Sequence, residues 1–140
     1  MISFRRAKLD DIAVMAEIRL SVKENALSDV SLITPQMYQD YLDKLGRGWV
    51  CECNGEIVGF SNADKQDHSI WALFIKPEFE GMGAAKGLIK LATDWLFEIG
   101  AEKIILSTES NTRADRFYKD QGWVRGEMKD EYEVVYTLLR

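Results

Sequence analysis

The sequence predicts an α+β (mixed α/β) fold built on one mixed sheet. Strand-type and helix-type hydrophobic patterns follow one another without strict alternation, which argues against a doubly wound parallel sheet. Two strand patterns flank Asn54-Gly55, the strongest short signal for a hairpin. With 140 residues, of which 46% are hydrophobic, the chain can bury one core. We therefore expect residues 1–140 to form a single domain.

The first half of the chain begins with a strand and two helices. Ile12, Met15 and Ala16 recur at helical spacing, and Pro35 suits the first helical position after a Thr34 cap. The predicted elements are a strand over Ile2–Arg6, a helix over Leu9–Glu24, an irregular segment over Asn25–Thr34, a helix from Pro35 to about Lys44, and strands over Trp49–Cys53 and Glu56–Asn62.

The second half contains the longest amphipathic pattern. Pro77 ends a strand because proline cannot donate to a sheet, and Gly100 and Gly122 end helices. The predicted elements are a strand over Ser69–Ile75, a helix over Met82–Ile99, a strand over Lys103–Thr108, a helix over Thr112–Gln121, and strands over Trp123–Glu127 and Tyr132–Leu139.

Composition excludes several classes of protein. The net charge of −5 argues against a nucleic-acid partner and mildly suits a cationic substrate. We expect no membrane association, since no apolar run approaches ~20 residues, and the N-terminus lacks a signal-peptide core, so we expect a cytoplasmic protein. Cys51 and Cys53 are expected to be reduced, and their C-x-C spacing lacks partners for a metal.

A Gly-rich turn predicts a cradle for a phosphate-bearing ligand. Gly81 and Gly83 lie between a strand and a helix, where unpaired amides and the helix dipole favour an anion. A P-loop requires a hydroxyl after Gly-Lys, but here Lys86 precedes Gly87. A dinucleotide fingerprint would place its third glycine at Lys86, and Glu109 comes late for its acidic residue. Both alternatives fit weakly.

Two blocks resemble the GNAT superfamily of acyl-CoA-dependent N-acetyltransferases. The run Glu80-Gly81-Met82-Gly83-Ala84-Ala85 is similar to its [RQ]-x-x-G-x-[GA] signature, although Glu80 replaces the usual Arg or Gln. The run from Asn111 to Trp123 resembles its N-x-x-A-x-x-F-Y-x-x-x-G-[FW] block. Lys76 and Lys86 are candidates to offset the Glu80 charge beside a pyrophosphate.

The resemblance implies a mostly antiparallel sheet of about seven strands with about four helices. Two central strands would splay apart to admit acetyl-CoA, the co-substrate, and dimerisation is common in this family. The residues it implies for coenzyme binding are Leu73, Phe74, Ile75, Glu80, Gly81, Met82, Gly83, Ala84, Ala85, Lys86, Asn111, Ala114, Phe117 and Tyr118. Asn111 is either a helix cap or a ligand of the pantetheine arm.

The resemblance also implies that Tyr118 is the acid that reprotonates the thiolate; a core aromatic is the alternative. For the general base, Glu109 is the candidate we carry forward, beside Glu24, His68 and a water relay. We interpret His68 as a solvated loop residue. Trp49 and Trp71 either line an acceptor pocket or belong to the core, with the core favoured.

The sequence therefore predicts an N-acetyltransferase that moves acetyl from acetyl-CoA to a primary amine of a small molecule, a protein N-terminus or a lysine. The transfer would proceed by direct attack in a ternary complex, because no nucleophile is evident. The alternatives are a non-catalytic acyl-CoA-binding module of the same fold and, less well supported, a nucleotide-dependent switch.

Overall fold

A computed structural model describes residues 1–22 and 33–140. The described residues form seven strands and four α-helices: β1 (Ile2–Arg6), α1 (Ile12–Ser21), α2 (Pro35–Asp40), β2 (Gly46–Cys53), β3 (Glu56–Asp64), β4 (Ser69–Ile75), α3 (Ala84–Glu98), β5 (Lys103–Glu109), α4 (Arg113–Asp120), β6 (Val124–Met128) and β7 (Glu133–Leu139). The sheet order is β1-β2-β3-β4-β5-β7-β6, and only β4 and β5, among the described strands, run parallel. The predicted mixed, mostly antiparallel sheet is confirmed.

The helices bury two separate apolar clusters against the sheet. Leu88, Ala92 and Leu96 of α3 pack with Tyr118 of α4 in one cluster. Met15 and Ile18 of α1 pack with Tyr38 of α2 in the other. Trp49, Cys51 and Cys53 alternate along β2 into the α3 cluster, while Val50 joins the α1 cluster, as the strand period of two requires. Both cysteines are buried free thiols, as predicted.

The first two helices are shorter than predicted. Leu9–Asp11 forms a 3₁₀ turn before α1, and Val22 is already extended, so α1 ends at Ser21. Glu24 and most of the predicted irregular segment lie outside the described residues. The second helix was predicted to reach about Lys44, which is wrong; Tyr41 departs from helical geometry because the chain turns there to enter β2. Thr34 caps α2 through a hydrogen bond from the Met37 amide, as predicted.

The start of α3 and the β2–β3 turn both follow from the local backbone conformation. The predicted helix start at Met82 moves to Ala84 because Gly83 adopts φ +86° as the N-cap. The β2–β3 hairpin turns at Asn54 and Gly55, whose φ values of +52° and +83° both lie in the left-handed region, and this confirms the predicted turn. No helix in residues 1–22 and 33–140 is long and apolar enough to cross a bilayer.

Candidate active site

The two parallel strands separate along their length. Among the described residues, β4 and β5 have one pair of residues in register, Ser69 with Ile105. In contrast, β5 and β7 pair continuously from Lys103 to Glu109. Beyond Ser69, the edge of β4 that faces β5 is left open, because β5 moves away. A strand edge of this kind presents peptide N–H and C=O groups that an extended ligand can pair with.

Three adjoining cavities of about 560, 350 and 140 Å³ follow this gap, and we term them the wide, middle and small cavities. Leu73 and Tyr118 line both the wide and the middle cavity. Ile75 and Arg113 line both the middle and the small cavity. The gap between β4 and β5 is therefore a long groove that passes the phenol of Tyr118.

The small cavity ends at an uncapped helix N-terminus. Gly81 and Gly83 have φ values of +82° and +86°, a region that disfavours residues with a Cβ. The N-cap residue of the fifteen-residue helix α3, Gly83, has no side chain that could cap the first turn. Among residues 1–22 and 33–140, apart from its chain neighbours and the backbone of α3, no atom lies within 4 Å of a Cβ placed on Gly83, so this Cβ would point into open space. This end of the groove suits a phosphate.

Tyr118 lies where the wide and middle cavities meet. The side chain projects from α4 into an aromatic cluster, with ring centroids 5.3 Å from Phe117, 5.6 Å from Trp123 and 5.8 Å from Tyr136. The residue is 6% exposed. Burial raises the pKa of Tyr118 well above its ordinary value, so the phenol keeps its proton at neutral pH.

The far wall of the wide cavity is acidic. Glu109 at the end of β5 is paired in register with Glu133 of β7, and both residues line this cavity. The ammonium group of Lys129 lies 3.7 Å from the Glu133 carboxylate. Two neighbouring carboxylates at a cavity wall favour a cationic group such as an ammonium.

Most predicted site residues line the groove. These are Leu73, Phe74, Ile75, Glu80, Gly81, Gly83, Ala84, Ala85, Lys86, Glu109, Ala114, Phe117 and Tyr118. Met82 and Asn111 are not among the lining residues, and their contact with the coenzyme stays a prediction. Trp71 lines the wide cavity, whereas Trp49 is buried in the α3 cluster. His68 lines a separate cleft beside Gly100 and Lys103.

A profile of the acetyltransferase (GNAT) family matches residues 5–123, most of the chain. The chain belongs to the GNAT family. Two solved structures share the fold over nearly their whole length. One is the PaiA N-acetyltransferase of Thermoplasma acidophilum with coenzyme A, with a TM-score of 0.85, 13% identity, and coverage of 100% of this chain and 99% of the other. The other is an acetyl-coenzyme-A complex from Bacillus anthracis, with a TM-score of 0.78, 20% identity and full coverage of both chains.

A spermidine N(1)-acetyltransferase of Escherichia coli (strain K12) is 31% identical over 97 residues. The match covers 64% of this chain and 52% of the relative, so it spans about half the length of that protein.

This GNAT domain departs from the family signature at Glu80, and the structure supplies a counter-charge. The Arg113 guanidinium at the start of α4 lies 3.3 Å from the Glu80 carboxylate. Lys76, which we expected to offset this charge, instead contacts Glu56 at 2.9 Å, so that expectation is wrong. Lys86 lines the small cavity, as does Arg113. Two cations therefore flank the predicted pyrophosphate site, one of them supplied by α4.

Asp115 stabilises the turn before α4 through hydrogen bonds. Its carboxylate accepts hydrogen bonds from the Asn111 amide at 2.9 Å and from the Tyr136 hydroxyl. Arg125 donates to both oxygens at 3.1 Å. The side chain is 9% exposed, and these donors, the Arg125 guanidinium first, hold the pKa of Asp115 well below its usual range. Burial, and after it the hydrogen bond to Asp115, raises the pKa of Tyr136 to about 12.

This arrangement corrects the predicted helix cap. The Thr112 hydroxyl accepts from the Asp115 amide at 3.3 Å and is therefore the cap of α4. Asn111 precedes the cap with φ +61°, a conformation that asparagine tolerates better than most residues. The sequence reasoning also missed Arg113 and Asp115, because their partners lie far away in the sequence or in another element.

Proposed function

We propose that this GNAT domain, as a single folded unit, transfers an acetyl group from acetyl-CoA to a primary amine in a ternary complex. The observation that carries the proposal is the continuous groove between β4 and β5. It joins an open phosphate cradle, a buried protonated tyrosine and an acidic wall in that order. This order matches a coenzyme whose phosphates and thioester lie at opposite ends and an acceptor that is cationic before it reacts.

The groove residues would hold acetyl-CoA without forming any covalent bond to it. The first-turn amides of α3 would donate to the pyrophosphate, with Lys86 and Arg113 beside it. The open edge of β4, at Leu73 and Ile75, would pair with the amides of the pantetheine arm. A β4 amide would also polarise the thioester carbonyl. The groove thereby fixes the distance between the phosphate cradle and the reacting carbon.

The transfer then needs three proton movements. The neutral amine nitrogen attacks the carbonyl carbon, the C–N bond forms, and the C–S bond breaks. Tyr118, which holds its proton at neutral pH because burial raises its pKa, would give that proton to the departing thiolate, and the proton that the new amide nitrogen sheds would return to the Tyr118 oxygen, directly or through water. An alkylammonium of pKa ~10.4 must first lose a proton, which costs ~4–5 kcal/mol near pH 7. Glu109, at the wall of the wide cavity, is the group that we assign to this step, directly or through water.

Thermal unfolding in parallel with acetyl-CoA, ATP and NAD tests the cradle. A ligand at ~100 times its Kd adds about 2.7 kcal/mol of stability, which corresponds to several degrees in Tm for a domain of this size. We expect stabilisation by acetyl-CoA alone. Stabilisation by ATP or NAD instead would contradict the assignment and favour a nucleotide site.

Thiol release from acetyl-CoA with a panel of amines tests turnover. We expect acceptor-dependent release above the rate of hydrolysis. Coenzyme binding without release for any amine would favour the non-catalytic acyl-CoA-binding module. A cytoplasmic location and a homodimer stay predictions that these experiments do not address.

A further inference from the structure

Arg19 is a cation at the wide cavity to which the amine-transfer chemistry gives no role. It lies on α1 in the stripe that begins with Ile12 and Met15, and this stripe faces the sheet. The carbon centre of its guanidinium is 4.0 Å from the centroid of the Phe74 ring on β4. Arg19 also lines the wide cavity, as does Phe74. A charged side chain thus occupies a position that the helical pattern reserves for an apolar one.

The surroundings of Arg19 leave part of its hydrogen-bonding capacity unused. Its Nε is shielded from solvent and meets no hydrogen-bond partner within residues 1–22 and 33–140. Burial lowers the pKa of Arg19, while Tyr38 and Glu133 oppose that shift through their charges. A shielded N–H of a cation without an acceptor is unfavourable, and an aliphatic residue would pack on Phe74 without this cost. An anionic ligand in the wide cavity would supply the missing acceptor.

The wide cavity also carries acidic groups. Glu109 and Glu133 are paired in register on β5 and β7, and both line this cavity together with Arg19. Lys129 and Asp130, between β6 and β7, are further charged residues of its described lining, and the Lys129 ammonium group contacts Glu133. The described lining therefore contains a guanidinium stacked on Phe74 as well as carboxylates, which matches a molecule that is itself both anionic and cationic.

We propose that the acceptor is an amine that also bears a carboxylate, in the manner of a free amino acid, and that Arg19 binds this carboxylate. The inference rests on the proposed function and specifies its substrate class. A guanidinium matches a carboxylate in a planar, two-point geometry, so Arg19 would orient the acceptor while the acidic wall receives its ammonium group. A bare polyamine offers nothing to Arg19.

Matched acceptors that differ only in the carboxylate test this directly. The probes are lysine, lysinamide and cadaverine, and glycine with glycinamide, each compared with spermidine by thiol release. We expect kcat/KM to be at least ~10-fold higher for the carboxylates than for the matched amides, the size of one good charged hydrogen bond. Equal rates for lysine, lysinamide and cadaverine, or a preference for spermidine, would overturn the proposal.

Arg19→Gln should abolish the preference, and Arg19→Lys should restore part of it by returning the charge without the planar fork. Arg47→Gln is the matched control, because the Arg47 guanidinium also stacks on an aromatic ring, that of Trp95 at 4.8 Å, and does not line the wide cavity. A preference that persists in Arg19→Gln, or vanishes equally in Arg47→Gln, would contradict the assignment.

Binding separates this inference from the proposed function. With CoA present, lysine or glycine should raise Tm in the wild type and not in Arg19→Gln, a result that requires no turnover. If acetyl-CoA stabilises the protein and amines react without regard to their carboxylate, the substrate class is wrong and the transferase function stands. If acetyl-CoA neither binds nor reacts, both are wrong.

Discussion

Gly83→Ala should weaken acetyl-CoA binding, whereas a glycine-to-alanine change of equal backbone cost elsewhere should not. Gly83 has φ +86°, and in the described part of the chain an added Cβ would clash with no atom, since none lies within 4 Å beyond its chain neighbours and the backbone of α3. The folded protein therefore pays only for the left-handed backbone, ~1–2 kcal/mol for a residue with a Cβ. The added methyl group would nevertheless stand in the space ahead of the α3 amides, where we place the pyrophosphate.

Gly55→Ala provides a control of equal backbone cost. Gly55 has φ +83° and likewise no neighbour within 4 Å of an added Cβ, but it lies in the β2–β3 turn. Both variants should therefore lose a similar ~3–8 °C in Tm. Only Gly83→Ala should lose a charge-assisted hydrogen bond to the phosphate, worth ~1.5–3 kcal/mol, which corresponds to a ~10–150-fold higher Kd.

Isothermal titration with acetyl-CoA measures the Kd of each variant, and circular dichroism measures its Tm. Titration with an acetylated pantetheine that lacks the nucleotide and pyrophosphate locates the effect, since its affinity should be the same in both variants. Equal Kd values for acetyl-CoA in the two variants would refute the reasoning. A loss that persisted with the truncated ligand would show that the pyrophosphate does not lie ahead of Gly83.

Three further changes test the rest of the site. Tyr118→Phe should lower kcat by ~10²-fold or more with acetyl-CoA affinity nearly unchanged. In the wild type, the rate should show no loss near pH 10 from ionisation of Tyr118, because the pKa of this residue is raised. Asp115→Asn should cost ~1–3 kcal/mol in chemical unfolding at pH 7. The lowered Asp115 pKa means that its contribution is present above ~pH 4 and is lost below it, so the two proteins should converge in acid. Glu80→Gln should tighten acetyl-CoA binding in titration. It should leave Tm nearly unchanged, because the ion pair with Arg113 is largely exposed. Weaker binding would show that Glu80 positions Arg113 for the phosphate.

Local patterns account for what could be predicted reliably. The Asn54-Gly55 turn, the apolar face of α3 and the Gly81-x-Gly83 turn depend on backbone conformation and periodicity within a few residues, and these three features are observed. Phosphate binding by the Gly81-x-Gly83 turn stays a prediction. The helix ends at Ser21 and Asp40 were missed, because the helical patterns continue past the points where the chain must turn. Periodicity reports which face is apolar, and it does not report where tertiary packing ends an element.

The sequence by itself determined the order of the elements, the antiparallel character of the hairpin, the glycine turn ahead of α3 and the family resemblance, because each is encoded in neighbouring residues. Only the tertiary structure decided which charges meet. Glu80 and Arg113 are 33 positions apart, and Arg19 on α1 contacts the ring of Phe74 on β4. Charge pairing depends on distances of a few ångströms between elements, and no local pattern records such distances. The polarity of the wide cavity is therefore a property of the packed sheet and helices.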